Sequence, residues 1–201
     1  MVVDQANWKS DANVYGFLAR LWIAELDQSV IDQLTAGELC DAYLELGGVS
    51  PSSDNTGDAI EELAIEFCGC FLGPKGHLPP HQSVVSHSRF QGDCLSSLKQ
   101  FVDIIGQPNG ELFQQQKMLD HAGVELALMQ RVCAYGSQCD ADESQAVSEL
   151  RIQFFESHLQ WLNDYCEVAS NKTNSDFYRG LFAVTRKFLL AERTQNTSEA
   201  S

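Results

Sequence analysis

Helical periodicity recurs along most of this chain, whereas convincing period-2 alternation bounded by hairpin turns is absent. Apolar residues return every three or four positions, as they do on one face of an α-helix. Gly and Pro residues interrupt these runs, so the helices are separate and of ordinary length. The pattern therefore predicts an all-α fold, a helical bundle. The first stripe consists of Val14, Phe17, Leu18, Leu21, Trp22 and Leu26.

Local signals predict where several helices begin and end. Thr35 with Glu38 three residues later forms a capping-box pattern, and Gly47 is a stop signal. Gly73-Pro74 ends the next helix because proline cannot continue one. Asp93 is the expected N-cap of the helix that follows.

The second half of the chain contains one ambiguous segment. "ELFQQQKMLDHAGVELALMQRVCAY" fits either one helix or a short turn followed by a helix from near Asp120. Beyond it, apolar residues keep helical spacing through two further segments. The polar ending, residues 193–201, predicts a disordered tail. The apolar residues of those two segments are Leu150, Phe154, Phe155, His158, Trp161, Leu162 and Tyr165, then Phe177, Leu181, Val184 and Phe188.

The charge balance restricts the partners of this 201-residue chain. Its net charge of −15 repels nucleic acid and anionic lipid, and it favours either a basic partner or solubility alone. The seven cysteines are odd in number and no export signal precedes them, so we expect reduced thiols and a cytoplasmic location.

Histidines and cysteines are concentrated between residues 66 and 94. Zinc takes nitrogen and sulfur ligands, and His77 and His81 have a spacing found in zinc sites. Cys68 and Cys70 fit poorly, because side chains two apart on a helix point about 200° from each other. A metal site, a Cys–His catalytic site and a recognition loop are the alternatives. The same region also holds His87 and Cys94.

The segment "LDHAGVEL" carries a second candidate site. If Asp120 opens the helix, its carboxylate can accept first-turn N–H groups. His121 and Glu125 would then lie four residues apart on one face, within reach of each other. Such a pair could attract a guanidinium or a peptide N–H. A cap followed by an exposed pair is the simpler interpretation.

Three blocks of residues follow one another along the chain. The first block is the structural motif Glu66, Phe67, Phe71, Gly73 and Pro74, followed by Pro79-Pro80 and Ser83. The second block is Asp120-His121 with Glu125-Leu126, and the third is Phe154-Phe155, His158-Leu159, Trp161 and Phe177-Tyr178. Taken in this order, the blocks resemble the TorD/DmsD family of cytoplasmic chaperones that mature molybdenum-containing reductases, and the resemblance runs from about residue 60 to 192.

The resemblance implies a binding protein and not an enzyme. It implies an N-terminal helical half (1–105), a hinge (106–119) and a C-terminal half (120–192), with the helix starting near Asp120. It also implies binding of the twin-arginine signal peptide of a reductase precursor until molybdopterin is inserted, with no stably bound cofactor and at most indirect handling of molybdopterin. Monomer and domain-swapped dimer stay open. The implied signal-binding residues are Asp120, His121 and Glu125, with Pro79, Pro80, His81 and Ser83 facing them across a groove.

Three positions depart from the family pattern. Val85 stands where tyrosine is usual, Cys70 where leucine is usual, and His81 where tryptophan often occurs. Imidazole in place of a large aromatic ring should weaken packing against an apolar signal-peptide core. The alternatives to the chaperone are a metal-binding or catalytic protein using residues 68–94, and an interaction scaffold without a reductase client.

Overall fold

The computed structural model describes residues 5–51, 57–73, 77–87, 94–111, 113 and 118–199. Within those residues there are ten α-helices and no β-strand, so the all-α prediction is confirmed. No helix in this part of the chain is long and apolar enough to span a bilayer. The helices are α1 (Gln5–Ile23), α2 (Gln28–Thr35), α3 (Glu38–Glu45), α4 (Gly57–Phe67), α5 (Gln82–His87), α6 (Cys94–Ile105), α7 (Ala122–Gly136), α8 (Ser144–His158), α9 (Trp161–Lys172) and α10 (Asp176–Glu199), with a π-helical turn at Cys68–Leu72.

The chain divides into two compact units, each of which draws on separate parts of the sequence. The first unit contains Met1–Ile23 and His81–Trp161, and the second contains Ala24–Pro80 and Leu162–Ser201. The hinge at 106–119 and the two halves on either side of it stay predictions.

The first unit is built around α1 and α7, which form the most extensive helix pair. The two helices approach closely because glycines lie at their contact. A Cβ on Gly136 would come within 2.0 Å of the Trp8 ring, and a Cβ on Gly123 would lie 3.0 Å from Ile23. Arg151 of α8 stacks over Trp8 at 4.6 Å and donates to the Asp11 carboxylate at 2.7 Å, so α8 is fixed to α1 as well.

Aromatic rings form the centre of the second unit. Phe71 contacts Phe67, Tyr178 and Phe182, with ring centroids 4.9 to 6.0 Å apart and edge-to-face angles in all three pairs. Tyr165 meets Phe182 in the same way at 6.3 Å. This cluster joins the end of α4 and its π-helical turn to α9 and α10.

The observed helix ends confirm some signals and correct others. The capping-box prediction at Thr35 is wrong, because Thr35 is the last residue of α2 and its hydroxyl donates to Ile31 O. The N-cap of α3 is Gly37. The stop at Gly47 is confirmed: its φ of 94° is one that glycine adopts without strain, and its N–H donates to Leu44 O. Asp93 and Pro74 lie outside the described residues.

The last third of the chain is more divided than its periodicity indicates. The helical pattern that runs through His158 and Trp161 breaks at Leu159–Gln160, so two helices replace one. The final helix α10 extends to Glu199, over residues for which the polar composition predicts a disordered tail.

Candidate functional site

Asp120 lies at the centre of a polar network in the first unit. Its side chain has no exposed surface, and hydrogen-bond donors of the protein surround its carboxylate. The Ser83 N–H donates to Asp120 Oδ2 at 3.2 Å, the Ser83 hydroxyl donates to the same oxygen, and His81 Nδ1 faces Oδ1 at 3.3 Å. Gln82 N–H donates to the Asp120 carbonyl at 2.9 Å. The carboxylate therefore fixes residues 81–83 against the residue that precedes α7.

These hydrogen bonds keep Asp120 charged. Burial alone would raise the pKa of Asp120, but donation from His81 and Ser83 outweighs burial and lowers the pKa below its ordinary value. A carboxylate that is fully buried and already accepts three hydrogen bonds is not a free ligand for an incoming guanidinium. It is a positioning group.

His121, and not Asp120, is the N-cap of α7. Its Nδ1 accepts from the Gly123 N–H at 3.1 Å, which places the ring proton on Nε2. The predicted start of the helix near Asp120 is thus confirmed to within two residues, although the capping residue is corrected. Burial and the neighbouring His81 lower the pKa of His121 to about 3, against the opposing effect of Asp120. The cap is therefore a neutral imidazole.

The two histidines meet edge to face. The rings of His81 and His121 lie 5.1 Å apart at 79°, and their backbones form an isolated antiparallel bridge. The His81 side chain keeps 12% of its surface exposed, whereas Asp120 beside it has none. His121 is buried as well, so of these three groups His81 is the one that solvent or a ligand can reach.

Glu125 is fully buried and does not pair with His121 as its spacing predicts. Its Oε2 accepts the indole N–H of Trp161 at 2.7 Å, while Oε1 has no hydrogen-bond partner within the described residues. Burial raises the pKa of Glu125 well above its usual range. The hydrogen bond from Trp161 lowers the pKa but does not offset burial. Trp161 also donates to His158 O at 2.8 Å, which links the start of α9 to α7 and α8.

A second network, centred on His158, was not anticipated from the sequence. Gln82 Nε2 donates to Ser157 O at 2.7 Å, so Gln82 Oε1 accepts from His158 Nδ1 at 3.0 Å. His158 Nε2 then accepts from the Ser97 hydroxyl at 2.9 Å. Burial lowers the pKa of His158 to about 4. The only signal in the sequence was a histidine on an otherwise apolar helix face.

The remaining predicted residues lie in the second unit. Pro79 and Pro80 belong there, and their place across a groove from Asp120 stays a prediction. Glu66 Oε2 accepts from the Ser175 hydroxyl at 2.5 Å, which ties α4 to the N-cap of α10. Phe67 and Phe71 are core residues, and Gly73 ends the π-helical turn in an extended conformation.

The histidines and cysteines do not form a metal cluster in the described residues, where no three His, Cys, Asp or Glu side chains gather to hold an ion. Cys68 Sγ lies 3.5 Å from Glu25 Oε1, and Cys70 Sγ lies 3.2 Å from Thr173 Oγ1. Nor does the Ser83–Asp120–His81 order match a hydrolytic triad, in which histidine stands between serine and the acid.

Comparison with known proteins gives one family. The profile of the nitrate reductase delta subunit family matches residues 28–167. The chain belongs to this family. A relative, the chaperone protein TorD of Shewanella pealeana, is 22% identical over 94% of this chain and 90% of its own length. No solved structure matches the chain.

Membership of the nitrate reductase delta subunit family confirms the TorD-like resemblance drawn from the three motif blocks. The family match runs through the segments that carry both polar networks, including His81, Asp120 and His158. It also includes the α4 segment with Glu66 and Phe71.

Proposed function

We propose that this protein is a cytoplasmic chaperone that binds the twin-arginine signal peptide of a molybdopterin-containing reductase precursor. It holds the precursor until the cofactor is inserted, and makes or breaks no covalent bond itself. The observation that carries the proposal is the family match over residues 28–167, together with a relative named as the chaperone TorD. In this proposal the molybdopterin is a cofactor of the client enzyme and not of the chaperone.

The charge of the chain supports a basic client. With 28 acidic residues against 13 basic ones, the surface attracts a peptide that carries two guanidinium groups, and this attraction weakens as salt screens it. We therefore expect association rates to fall as ionic strength rises.

The geometry of the first unit suggests how the signal-binding residues act. Asp120 and Glu125 have no exposed surface, so in this conformation neither reaches a guanidinium directly. Asp120 instead holds His81 and Ser83 in place, and His121 orders the start of α7. In this proposal His81 provides the contact that a tryptophan would otherwise make, and the acidic residues behind it act by positioning.

Calorimetry with synthetic peptides tests the function. One peptide carries Arg-Arg followed by an apolar segment, and the matched peptide carries Lys-Lys with the same segment. We expect tighter binding of the Arg-Arg peptide, and weakening by roughly tenfold on His81→Ala or Asp120→Asn. Circular dichroism melts identify variants that have merely unfolded. Failure of the intact protein to bind either peptide would overturn the proposal.

A further inference from the structure

An exposed apolar stripe runs along α4 and the π-helical turn of the second unit. Ile65 and Leu72 leave 64% and 65% of their surface exposed, and Cys68 between them is exposed as well. Gly69 adds no side chain, and a Cβ built there would meet no atom of the described residues within 4 Å. These residues recur every three or four positions, the spacing of one helix face. We call them the 65–72 stripe.

The other face of the same segment is already buried in the core. Leu63, Phe67 and Phe71 are buried, and the two phenylalanines belong to the aromatic cluster, so this segment is apolar on both sides. Single exposed apolar residues are ordinary on protein surfaces, and Ile104 in the first unit, 68% exposed, is one of them. Repetition along a helix face distinguishes the 65–72 stripe from such isolated residues.

A cleft of about 280 Å³ adjoins the stripe and shares Gly69 with it. Leu78, Ala169 and Phe182 supply its apolar wall. Its volume is near the lower end of the range for ligand pockets, so it can accept an apolar side chain or two. All the described residues that line it belong to the second unit.

The flank of the stripe is acidic. Glu61 and Glu62 are exposed on α4 and form no ion pair within the described residues. Glu66 lines the cleft; the Ser175 hydroxyl occupies its Oε2, and Oε1 has no hydrogen bond to the described part of the chain. Among the described residues that line the cleft, Lys172 is the single basic one. Carboxylates beside an apolar face complement a peptide with basic and apolar residues.

We propose that the 65–72 stripe and its adjoining cleft form a docking surface for a basic amphipathic segment of the client polypeptide. Apolar side chains of that segment cover Ile65 and Leu72 and enter the cleft, and its basic residues lie beside Glu61, Glu62 and Glu66. A second copy of this chain fits less well, because it would bring another −15 charge to an acidic surface. The inference rests on the proposed function for the identity of the client.

Matched variants test the surface. Ile65→Ser and Leu72→Ser change exposed residues of the stripe, and Ile104→Ser makes the same change at an equally exposed site in the first unit. We expect each stripe variant to weaken binding of the Arg-Arg peptide by roughly tenfold, and the Lys-Lys peptide by a similar factor, while Ile104→Ser leaves both unchanged. Fluorescence anisotropy with labelled peptides measures all of these affinities.

The thiol of Cys68 gives a second, direct readout. It is exposed, whereas the six other cysteines are buried or half-buried. Saturating peptide should slow alkylation of Cys68 severalfold, as measured by mass spectrometry of the Cys68 peptide. An unchanged alkylation rate at saturating peptide would overturn the inference.

The outcomes separate the two proposals. Stripe variants that bind like Ile104→Ser, in a protein that prefers Arg-Arg to Lys-Lys, would overturn the docking surface and leave the proposed function standing. Equal affinity for the two peptides, with both weakened by the stripe variants, would support the surface and contradict twin-arginine recognition. Binding of neither peptide would overturn both.

Discussion

The indole N–H of Trp161 donates to Oε2 of Glu125 at 2.7 Å, deep in the first unit, and the second oxygen of that carboxyl has no partner within the described residues. An ionised carboxylate in this setting would keep one oxygen desolvated and unpaired, which is costly. The neutral acid costs less in this setting because it carries no charge. The surroundings of Glu125 therefore favour its protonated form.

Glu125→Gln should stabilise the protein at alkaline pH. Because the folded-state pKa of Glu125 is raised, its contribution to stability is fully present below the unfolded value of about 4.3 and is lost as pH rises toward the folded pKa. Gln carries no proton to lose and can still accept from Trp161. Urea unfolding measures the free energy of unfolding of both proteins at pH 5 and pH 8. The difference between the variant and wild type should shift in favour of the variant at the higher pH, by up to about 1.4 kcal/mol per pH unit.

The exposed residue Glu156 provides the control, since Glu156→Gln should leave the difference between pH 5 and pH 8 as in wild type. Glu125→Ala should instead cost about 2–4 kcal/mol at pH 5, because it leaves the Trp161 indole without its carboxyl partner and opens a cavity, and it should cost less at pH 8, because it removes the same titration. Equal pH dependence in wild type and Glu125→Gln would show that Glu125 is ionised in the folded protein.

His158 should make the protein sensitive to acid. Its folded-state pKa of about 4 lies below the unfolded value of about 6.5, so the stability it contributes is present above pH 6.5 and is lost as pH falls toward 4. The loss is at most about 1.4 kcal/mol per pH unit. His158→Gln removes this titration, so its unfolding free energy should fall less steeply between pH 6.5 and 4.5 than that of wild type.

Ser97→Ala serves as the comparison, because it removes the hydroxyl that donates to His158 Nε2 but keeps the imidazole. This variant should be less stable by about 1 kcal/mol at pH 7. Its unfolding free energy should still fall with decreasing pH almost as steeply as that of wild type. An unaltered slope in His158→Gln would assign the acid sensitivity to other groups, such as His121.

Local sequence signals identified the helical class and several boundaries, because they depend on neighbours in the chain. The end of α3 at Gly47 depends only on the positive φ of that glycine, and the start of α7 depends only on the residues of its first turn. Three motif blocks in the right order were enough to identify the family. The break at Leu159–Gln160 was missed because the apolar spacing continues through it.

Partners distant in sequence could not be predicted in the same way. The spacing of His121 and Glu125 indicates a pair, but Trp161, 36 residues beyond Glu125, takes the carboxyl instead. Aspartate is a residue type suited to capping, yet the Asp120 carboxylate accepts hydrogen bonds from Ser83 and His81, which lie 37 and 39 residues away in the sequence. In both cases burial of the carboxyl, which a single sequence does not reveal, decides the partner.

Gly136 should tolerate no side chain, whereas Gly16 should. A Cβ on Gly136 would overlap the Trp8 ring at 2.0 Å, and that ring is held under Arg151. The nearest atom to a Cβ on Gly16 would be at the end of the flexible Gln130 side chain, at 2.6 Å. We expect Gly136→Ala to cost about 1–3 kcal/mol by overpacking, and Gly16→Ala to be neutral or to gain up to about 1 kcal/mol from helix propensity. Urea unfolding of both variants tests the α1–α7 contact, and equal stabilities would contradict the packing described.

The Asp120 network should depend on charge and not only on shape. Asp120 accepts from His81, from the Ser83 N–H and from the Ser83 hydroxyl. Asn has one acceptor oxygen and brings an NH₂ group against a donor, so Asp120→Asn should cost about 2–4 kcal/mol. Ser83→Ala removes one donor and leaves the carboxylate with the others, so it should cost only about 1–2 kcal/mol. Amide hydrogen exchange at Gln82, whose N–H donates to Asp120 O, should accelerate more in Asp120→Asn than in Ser83→Ala. Similar stability losses and exchange rates in the two variants would mean that the carboxylate does not anchor residues 81–83.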